Sequence, residues 1–513
     1  MLFNSYIFIF LFLPITLLGF HLLRKYGHYR LTISWLVSAN LFFYGWWNPI
    51  YIFLLIGSAI FNYAVGRALL TKPYKVLLTF GIMGNLGTLG YFKYANFFVD
   101  NINTLLDNNI VLEQIILPLG ISFFTFQQIT YLVDTYLGKT KEYNFLQYCL
   151  FVTFFPQLIA GPIVHHKKMM PQFARDILGT LKLENLAIGL TTFTIGLFKK
   201  VLLADNIAHF VNPVYKAAEF GFSLTFFEAW GGTIAYAFQL YFDFCGYSEM
   251  ALGIGLMFGI ALPLNFYSPF KTTNIAEFWR CWHMTLTNVV RNYLYYPISL
   301  LLTRYAVNNN FRNIGVFLLS ILTPTMFAFF WAGLWHGAGW NFVLFGLIHG
   351  SYLSIYYIWI KVYNVIPEDK RIKENNFTNF IGQSITFVVV IFSFVFFRAD
   401  SIDGANHIIN SMLSISAIEF TDMFQIGIWG ASPLTGIAWI VLSLMIVNFL
   451  PNTHQFIVSQ SKVYINWGDK PLSRPNQRIT WKPTLLWGIF FASMLTLSII
   501  SFSDTSEFLY FQF

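Results

Sequence analysis

Long apolar segments recur along the whole chain, and they constrain the fold more than any other feature of the sequence. They run near residues 5–23, 31–47, 49–70, 76–92, 115–137, 145–163, 186–203, 224–262, 314–335, 338–360, 379–397, 433–451 and 484–502. About 20 apolar residues in a helix span a bilayer, whereas membrane barrels use short alternating strands. The pattern therefore predicts an all-α polytopic membrane protein with roughly 10–14 membrane helices. The 224–262 segment is long enough for two helices, and segments with Pro or Gly are candidates for re-entrant pieces.

The scarcity of charge excludes several protein classes. Hydrophobic residues make up 56% of the 513 residues and charged residues 11%, against about 25% charged in soluble proteins. This composition argues against a cytosolic enzyme, a disordered chain and a nucleic-acid binder. Since no hydrophilic stretch reaches the size of a soluble domain, we expect one membrane domain over 1–513 with an exposed tail at 503–513.

Basic loops indicate an orientation. The loop 24–30 carries three basic residues and no acid, and 461–482 carries five basic residues and one acid. Because such loops stay in the cytoplasm, both termini are predicted to be extracytoplasmic. The first segment lacks a basic start and a cleavage site, so it is predicted to be a retained helix. The net charge of +8 fits this topology and anionic lipid, or a polyanionic substrate such as coenzyme A.

The 48 residues from 313 to 360 contain no Asp, Glu, Lys or Arg, and their titratable side chains near neutral pH are His336 and His349. Gly333 and Gly337 surround the first of these histidines in a small-x-x-x-small pair, which favours close helix packing. Gly337 also weakens the helix beside His336. The pattern suits a buried base at a helix break, although a histidine bonded to a carbonyl remains an equal alternative. His349 lies within the pair Gly346 to Gly350, where packing is the simpler role.

A second cluster reads Phe278-Trp-Arg-Cys-Trp-His283, followed by Arg291-Asn-Tyr-Leu-Tyr-Tyr-Pro297. It is either an interfacial helix with aromatic anchors or the polar wall of a pocket beside His336. Under the second interpretation, the candidate substrate-binding residues are Arg280, Arg291, Asn292 and Trp335.

Other polar groups favour structural interpretations. His165 and His166 have no evident further metal ligands, so we expect loop residues and no metal. Lys199 and Lys200 are expected to be solvated. The three cysteines form no C-x-x-C pair. Gly253, Gly255 and Gly259 open no βαβ unit, which favours helix packing over a nucleotide-binding turn.

Several motifs together resemble the bacterial branch of the membrane-bound O-acyltransferase family. That branch serves alginate O-acetylation, peptidoglycan O-acetylation and teichoic-acid D-alanylation. The matching segments are Met1-Leu-Phe-Asn-Ser, Leu117-Pro-Leu-Gly-Ile-Ser-Phe, Phe155-Pro-Gln-Leu-Ile-Ala-Gly-Pro-Ile, Tyr241-Phe-Asp-Phe-Cys-Gly-Tyr-Ser, the second cluster up to His283, and Leu334-Trp-His-Gly-Ala338.

The resemblance implies His336 as the catalytic histidine and His283 as the second family histidine. It implies acetyl-CoA as donor, no metal, a location in the bacterial inner membrane, and an extracytoplasmic SGNH (esterase-like) O-acetyltransferase as partner. The chain departs from the family pattern at Asn292, where an aspartate is expected, and at Cys245, where serine is frequent.

The end of the chain, Phe508-Leu-Tyr510-Phe-Gln-Phe, is similar to a terminal tyrosine motif that is linked with acyl transfer in this family's systems. Aromatic anchoring at the membrane surface is the alternative. We expect Tyr510 to carry the acetyl group towards a cell-envelope polysaccharide. The chain is rich in Phe, Ile, Asn and Lys. This bias is expected of an AT-rich genome and does not suit the usual alginate producers, so peptidoglycan is favoured as the polymer. Alginate O-acetylation, D-alanylation and a non-catalytic acyl or lipid transporter remain alternatives.

Overall fold

The computed structural model describes residues 1–141, 144–173, 182–371, 373–414, 433–457, 480–502 and 508–509. Throughout these ranges the regular structure is helical and no strand occurs. Six of the described helices are long and apolar enough to cross a membrane, and two shorter apolar helices accompany them. All eight overlap predicted apolar segments, which confirms the all-α membrane fold.

The helices follow the chain in this order: Phe8–Lys25, Tyr29–Gly45, Tyr51–Thr71, Lys75–Leu89, Ala95–Leu106, Ile121–Tyr136, Phe145–Thr153, Phe155–Leu158, His166–Met169, Leu183–Glu219, Phe226–Met257, Ile275–Cys281, Met284–Val290, Tyr296–Asn308, Asn313–His336, Trp340–Tyr363, Asn376–Arg398, Ile402–Leu413, Pro433–Phe449, Thr453–Ile457 and Leu485–Ile500. π-Helical turns at Gly90–Tyr94 and Arg291–Tyr295 extend two of them.

Phe226–Met257, which we call the central helix, forms the core of the molecule. It begins with a capping box, in which Thr225 and Glu228 each satisfy the other's backbone N–H. Its 32 residues give a length of about 48 Å, and most of its side chains are buried. The segment predicted as one or two helices is therefore a single helix, because no turn residue interrupts its hydrogen bonding.

The helix Leu183–Glu219 lies directly against the central helix. A Cβ atom at Gly253 would overlap the carbonyl of Gly189, and one at Gly246 would lie 2.6 Å from the carbonyl oxygen of Gly196. The two backbones therefore touch, as expected for small residues between membrane helices. Gly259 differs from its predicted packing role: it follows the end of the central helix with φ of 74°, where glycine is favoured because it lacks a Cβ.

Two lysines on Leu183–Glu219 correct the expectation of solvated side chains. Lys199 Nζ lies 2.6 Å from Glu249 Oε1, and Lys200 Nζ lies 2.7 Å from Asp243 Oδ1. Both acids belong to the central helix, and both lysine side chains are largely buried. The charges compensate one another inside the protein because a buried ion needs a partner.

The predicted segment 145–163 is not one continuous helix. It breaks at Phe154, where ψ is 107°, before the short helix Phe155–Leu158. The residues around this break are buried, and Phe155 N donates to Asn40 Oδ1. The side chain of Asn40 thus satisfies a backbone group that the broken helix leaves without a helical partner.

Candidate active site

His336 is the last residue of the helix Asn313–His336, and the chain turns sharply after it. Gly337 has an extended backbone, and the next helix starts at Trp340. A Cβ at Gly337 would overlap the Phe342 ring, and one at Gly333 would overlap the Phe342 carbonyl. The glycines therefore allow a tight corner that fixes the position of the imidazole. This confirms the predicted helix break.

Lys93 and Tyr94 cap the helix that carries His336. Lys93 Nζ donates to the carbonyl oxygens of Trp335 at 2.6 Å and His336 at 3.0 Å. Tyr94 Oη donates to the Leu334 carbonyl at 2.8 Å. Carbonyls at a helix end lack helical partners and carry partial negative charge, so an ammonium group stabilises them. The cap holds the last turn, and with it the imidazole, in place.

His283 lies between the helices Ile275–Cys281 and Met284–Val290, with a left-handed backbone (φ 41°). Its Nδ1 is 3.3 Å from Asn265 Oδ1, and Met284 N donates to the Asn265 carbonyl. Asn265 Oδ1 also accepts from Thr285 Oγ1 at 2.6 Å, while Asn265 Nδ2 donates to Ser248 Oγ, and an amide oxygen can only accept. His283 therefore carries its proton on Nδ1, and its Nε2 is an acceptor in the neutral ring.

The two histidines face one aromatic cavity. Their ring centroids are 6.4 Å apart, and both side chains are almost completely buried. The aromatic lining consists of Phe244, Trp279, Trp282, Phe345, Phe394 and Phe397. Two imidazoles at this separation can contact one small group between them, and apolar walls exclude competing water. The arrangement suits proton transfer to and from a hydroxyl or thiol group.

The predicted substrate-binding residues are not all together. Trp335 is buried against the rings of His336 and His283, at centroid distances of 5.0 and 6.0 Å. Arg280 is exposed, and the described lining of the cavity does not include it. Arg291 donates to Asn288 Oδ1 at 2.7 Å, and Asn292 is exposed on the same helical turn. The structure therefore joins only Trp335 to the histidine pair.

A buried acid lies beside His165 and His166, and His166 begins the short helix His166–Met169, so the expectation of a loop position holds only for His165. Asp134 Oδ2 lies 2.9 Å from His165 Nε2, 3.8 Å from His166 Nε2 and 3.1 Å from Lys167 Nζ. Asp134, the third potential metal ligand, belongs to the helix Ile121–Tyr136, and no sequence pattern linked it to the two histidines. The Lys167 ammonium lies beside the carboxylate oxygen that a metal would use. We therefore describe the group as an ion-pair cluster.

His349 has a structural environment. Trp279 Nε1 donates to its Nδ1 at 3.2 Å, and Ser393 Oγ is 2.7 Å from its Nε2. The ring thus connects three helices, in agreement with its predicted packing role.

Part of the C-terminal tail reaches the wall of the cavity. Tyr510 lies outside the described residues, but Phe508 and Leu509 are described and buried. The Phe508 ring is 4.5 Å from Tyr247 and 6.0 Å from Phe244, whose ring is 4.7 Å from His283. The expected exposure of the tail does not hold for these two residues, because their apolar side chains pack on the central helix.

Comparison with known proteins identifies the family. The model of the membrane-bound O-acyltransferase family matches residues 123–395, which include both cavity histidines. The chain belongs to the membrane-bound O-acyltransferase family. It is an O-acyltransferase, and its apolar helices make it a membrane protein.

Named relatives act on different polymers. The chain is 42% identical to a peptidoglycan O-acetyltransferase of Helicobacter pylori over 82% of this chain and 81% of the relative. It is 34% identical to a probable alginate O-acetylase of Pseudomonas putida over the full length of both. A teichoic acid D-alanyltransferase of Streptococcus thermophilus is 29% identical over 54% of this chain and 68% of the relative.

Lys93 and Asn265 are the site residues that the sequence did not reveal. Lys93 ends an apolar segment among aromatic residues, and a lysine there is ordinarily explained as reaching to the membrane surface. Its isolation from other charges was the available signal. Asn265 gave none, because its partners are 17–20 residues away in sequence.

Proposed function

We propose that this protein is the membrane subunit of a cell-envelope O-acetylation system. It takes acetyl from cytoplasmic acetyl-CoA and passes it across the bacterial inner membrane, where an SGNH-type transferase delivers it to a polysaccharide. The observation that carries the proposal is the pair of buried histidines, His283 and His336, on one aromatic cavity. Family membership favours this enzyme over a non-catalytic transporter.

His336 acts as the base in this proposal. It removes the proton of an attacking hydroxyl, whose oxygen bonds to the thioester carbonyl carbon. The carbon–sulfur bond then breaks, and the leaving thiolate takes the proton back from the imidazolium. A positioned base of this kind increases the reaction rate by about 10²–10⁴-fold. His283, whose Nδ1 proton is directed at Asn265, forms the opposite side of the cavity and confines the attacking oxygen next to His336.

The acyl acceptor in this scheme is the phenol of Tyr510. Its support is the position of Phe508, two residues earlier, whose ring contacts Phe244 beside His283. An acetylated tail on the extracytoplasmic side gives the partner transferase an ester to attack. This direction requires the C-terminus to be outside, as loop charge predicts.

Labelled acetyl-CoA tests the chemistry in membranes that contain the full chain. We expect covalent label on the protein, and we expect His336→Ala and Tyr510→Phe to abolish it at unchanged protein abundance. The matched controls are His28→Ala and Tyr26→Phe, both at exposed positions. Label that survives Tyr510→Phe would refute the relay, and label that survives His336→Ala would refute the assigned base.

The polymer is proposed to be peptidoglycan, supported by the 42% identity with the Helicobacter pylori relative against 34% with the alginate relative. Deleting the gene in its host should remove base-labile acetate from purified peptidoglycan. Unchanged peptidoglycan acetate would exclude this polymer, and acetate lost from an exopolysaccharide would indicate an alginate-like substrate. A neighbouring transferase gene would give an independent indication.

A further inference from the structure

Asp243 links the C-terminal tail to the core. Its side chain lies on the central helix and is 1% exposed. Leu509 N, in the tail, donates to Asp243 Oδ2 at 3.1 Å, across 266 residues of sequence. Asp243 Oδ1 is 2.7 Å from Lys200 Nζ, and Lys200 Nζ is 2.8 Å from Asp205 Oδ1. One backbone N–H of the tail thus joins a group of three charges, of which Lys200 and Asp243 are buried and Asp205 is partly exposed.

The charges of this group favour a donor from the tail. Asp205 and Asp243 bring two negative charges and Lys200 brings one positive charge. Buried charges need both ion partners and hydrogen bonds. The Leu509 N–H is itself buried and needs an acceptor. Charge-assisted bonds are shorter and stronger than neutral ones, so this contact favours one position along the tail.

Aromatic contacts on the same helix surround that bond. Tyr247, four residues after Asp243, packs against the Phe508 ring, and Phe244 contacts both Phe508 and His283. Leu509 lies in a 3₁₀ turn, in which a slip of one residue shifts the chain by about 2 Å and rotates its side chains by about a third of a turn. Attack requires reacting atoms within about 3–3.5 Å. Apolar rings tolerate such a slip, whereas a single backbone bond to a carboxylate does not.

We propose that Asp243 is a positioning residue for acyl transfer: its carboxylate, oriented by Lys200, sets the register of the tail at Leu509 so that the next residue, Tyr510, reaches the histidine cavity. This inference rests on the proposed relay through Tyr510. It gives Asp243 a role in positioning the tail in addition to its ion pair with Lys200.

The position of the tail can be measured without any chemistry. A spin label at Gln512→Cys, with the three native cysteines replaced, reports the mobility of the tail in the full chain. We expect Asp243→Asn to make this label more mobile, because the amide is a weaker acceptor than the carboxylate. A label at Lys75→Cys, an exposed site on another helix, should not change. An equal increase in the mobility of both labels would show a general structural effect and overturn the proposal.

Acetylation of Tyr510 gives the second measurement. Leu509→Pro and Leu509→Ala both remove the leucine side chain, but only proline removes the N–H. Neither variant replaces Asp243, Lys200 or Asp205, so the ion pairs keep their partners. We expect label from acetyl-CoA to enter Leu509→Pro roughly ten- to hundredfold more slowly than Leu509→Ala, the loss expected for a hydrogen bond to a charged group.

The outcomes separate this inference from the relay. Equal acetylation rates of the two Leu509 variants, or an unchanged tail label in Asp243→Asn, would show that Asp243 does not set the register. Label on Tyr510→Phe would instead disprove the relay, whatever the tail label does. If Asp243→Asn does not accumulate, the Leu509 pair decides alone, since it leaves the ion pairs intact.

Discussion

The cap on the histidine helix gives a strong test of how His336 is held. Replacing Lys93 with methionine preserves a long apolar stem and removes the ammonium group. The carbonyls of Trp335 and His336 then lose a donor at 2.6 and 3.0 Å. Tyr94 still bonds to Leu334, so the helix is expected to persist while its last turn frays.

The size of the effect follows from that bond. A hydrogen bond to a charged group contributes about 1.5–3 kcal/mol net, and a cation at a helix C-terminus adds about 0.3–1 kcal/mol. One ammonium serves both carbonyls, so we count a single bond. A free-energy change of 1.4 kcal/mol corresponds to a tenfold change in the population of the positioned imidazole. We therefore expect kcat for acetyl transfer to fall about 10- to 100-fold in Lys93→Met.

The assay is transfer from labelled acetyl-CoA in membranes, with protein abundance and thermal unfolding measured in parallel. Lys75→Met is the matched control. Lys75 lies at the other end of the apolar segment 76–92 from Lys93, and its side chain is exposed. It should retain the parent rate. If Lys93→Met transfers acetyl within twofold of the parent, the ammonium of Lys93 does not position His336.

Three further predictions concern packing, orientation and buried charge. Gly337→Ala should reduce transfer strongly, because overpacking costs about 1–3 kcal/mol and the new methyl overlaps an aromatic ring; single-turnover rates measure this. Asn265→Ala should lower kcat about tenfold with little change in KM, as the ring of His283 loses the acceptor for its Nδ1 proton. Lys199→Met should lower the free energy of unfolding by about 3–5 kcal/mol, because Glu249 is left as a buried charge without its ion partner; thermal unfolding in detergent measures this.

Each of these has a control. Gly87→Ala, where a Cβ meets open space, should leave transfer unchanged, and a similar loss there would discount the overlap argument. A rise in KM without a fall in kcat would contradict the role given to Asn265. Combining Lys199→Met with Glu249→Met should recover most of the lost stability, and a double variant as unstable as the single one would contradict the charge argument.

Sequence patterns were sufficient for the membrane fold and for the helix end at His336, but they left two interpretations of the cluster that contains His283 open. Apolar segments of bilayer length predict helices because each helix satisfies its own backbone hydrogen bonds, and Gly337, directly after His336, predicts a break there. Predicted helix boundaries differed from the structure where charged residues interrupted an apolar segment. The prediction 186–203 ends near Lys200 and Asp205, whereas the helix continues to Glu219 because those charges pair with each other.

What the sequence alone determined was the set of local features: membrane helices, a helix end at His336, and a family motif around each of the cavity histidines. What only the tertiary structure decided was which distant groups meet. Lys93 reaches the carbonyl of His336 across 243 residues, and Leu509 reaches Asp243 across 266. The physical reason is that hydropathy and helix propensity act on neighbouring residues, whereas a buried charge or N–H is satisfied by whichever partner the packing of the whole chain brings within about 3 Å.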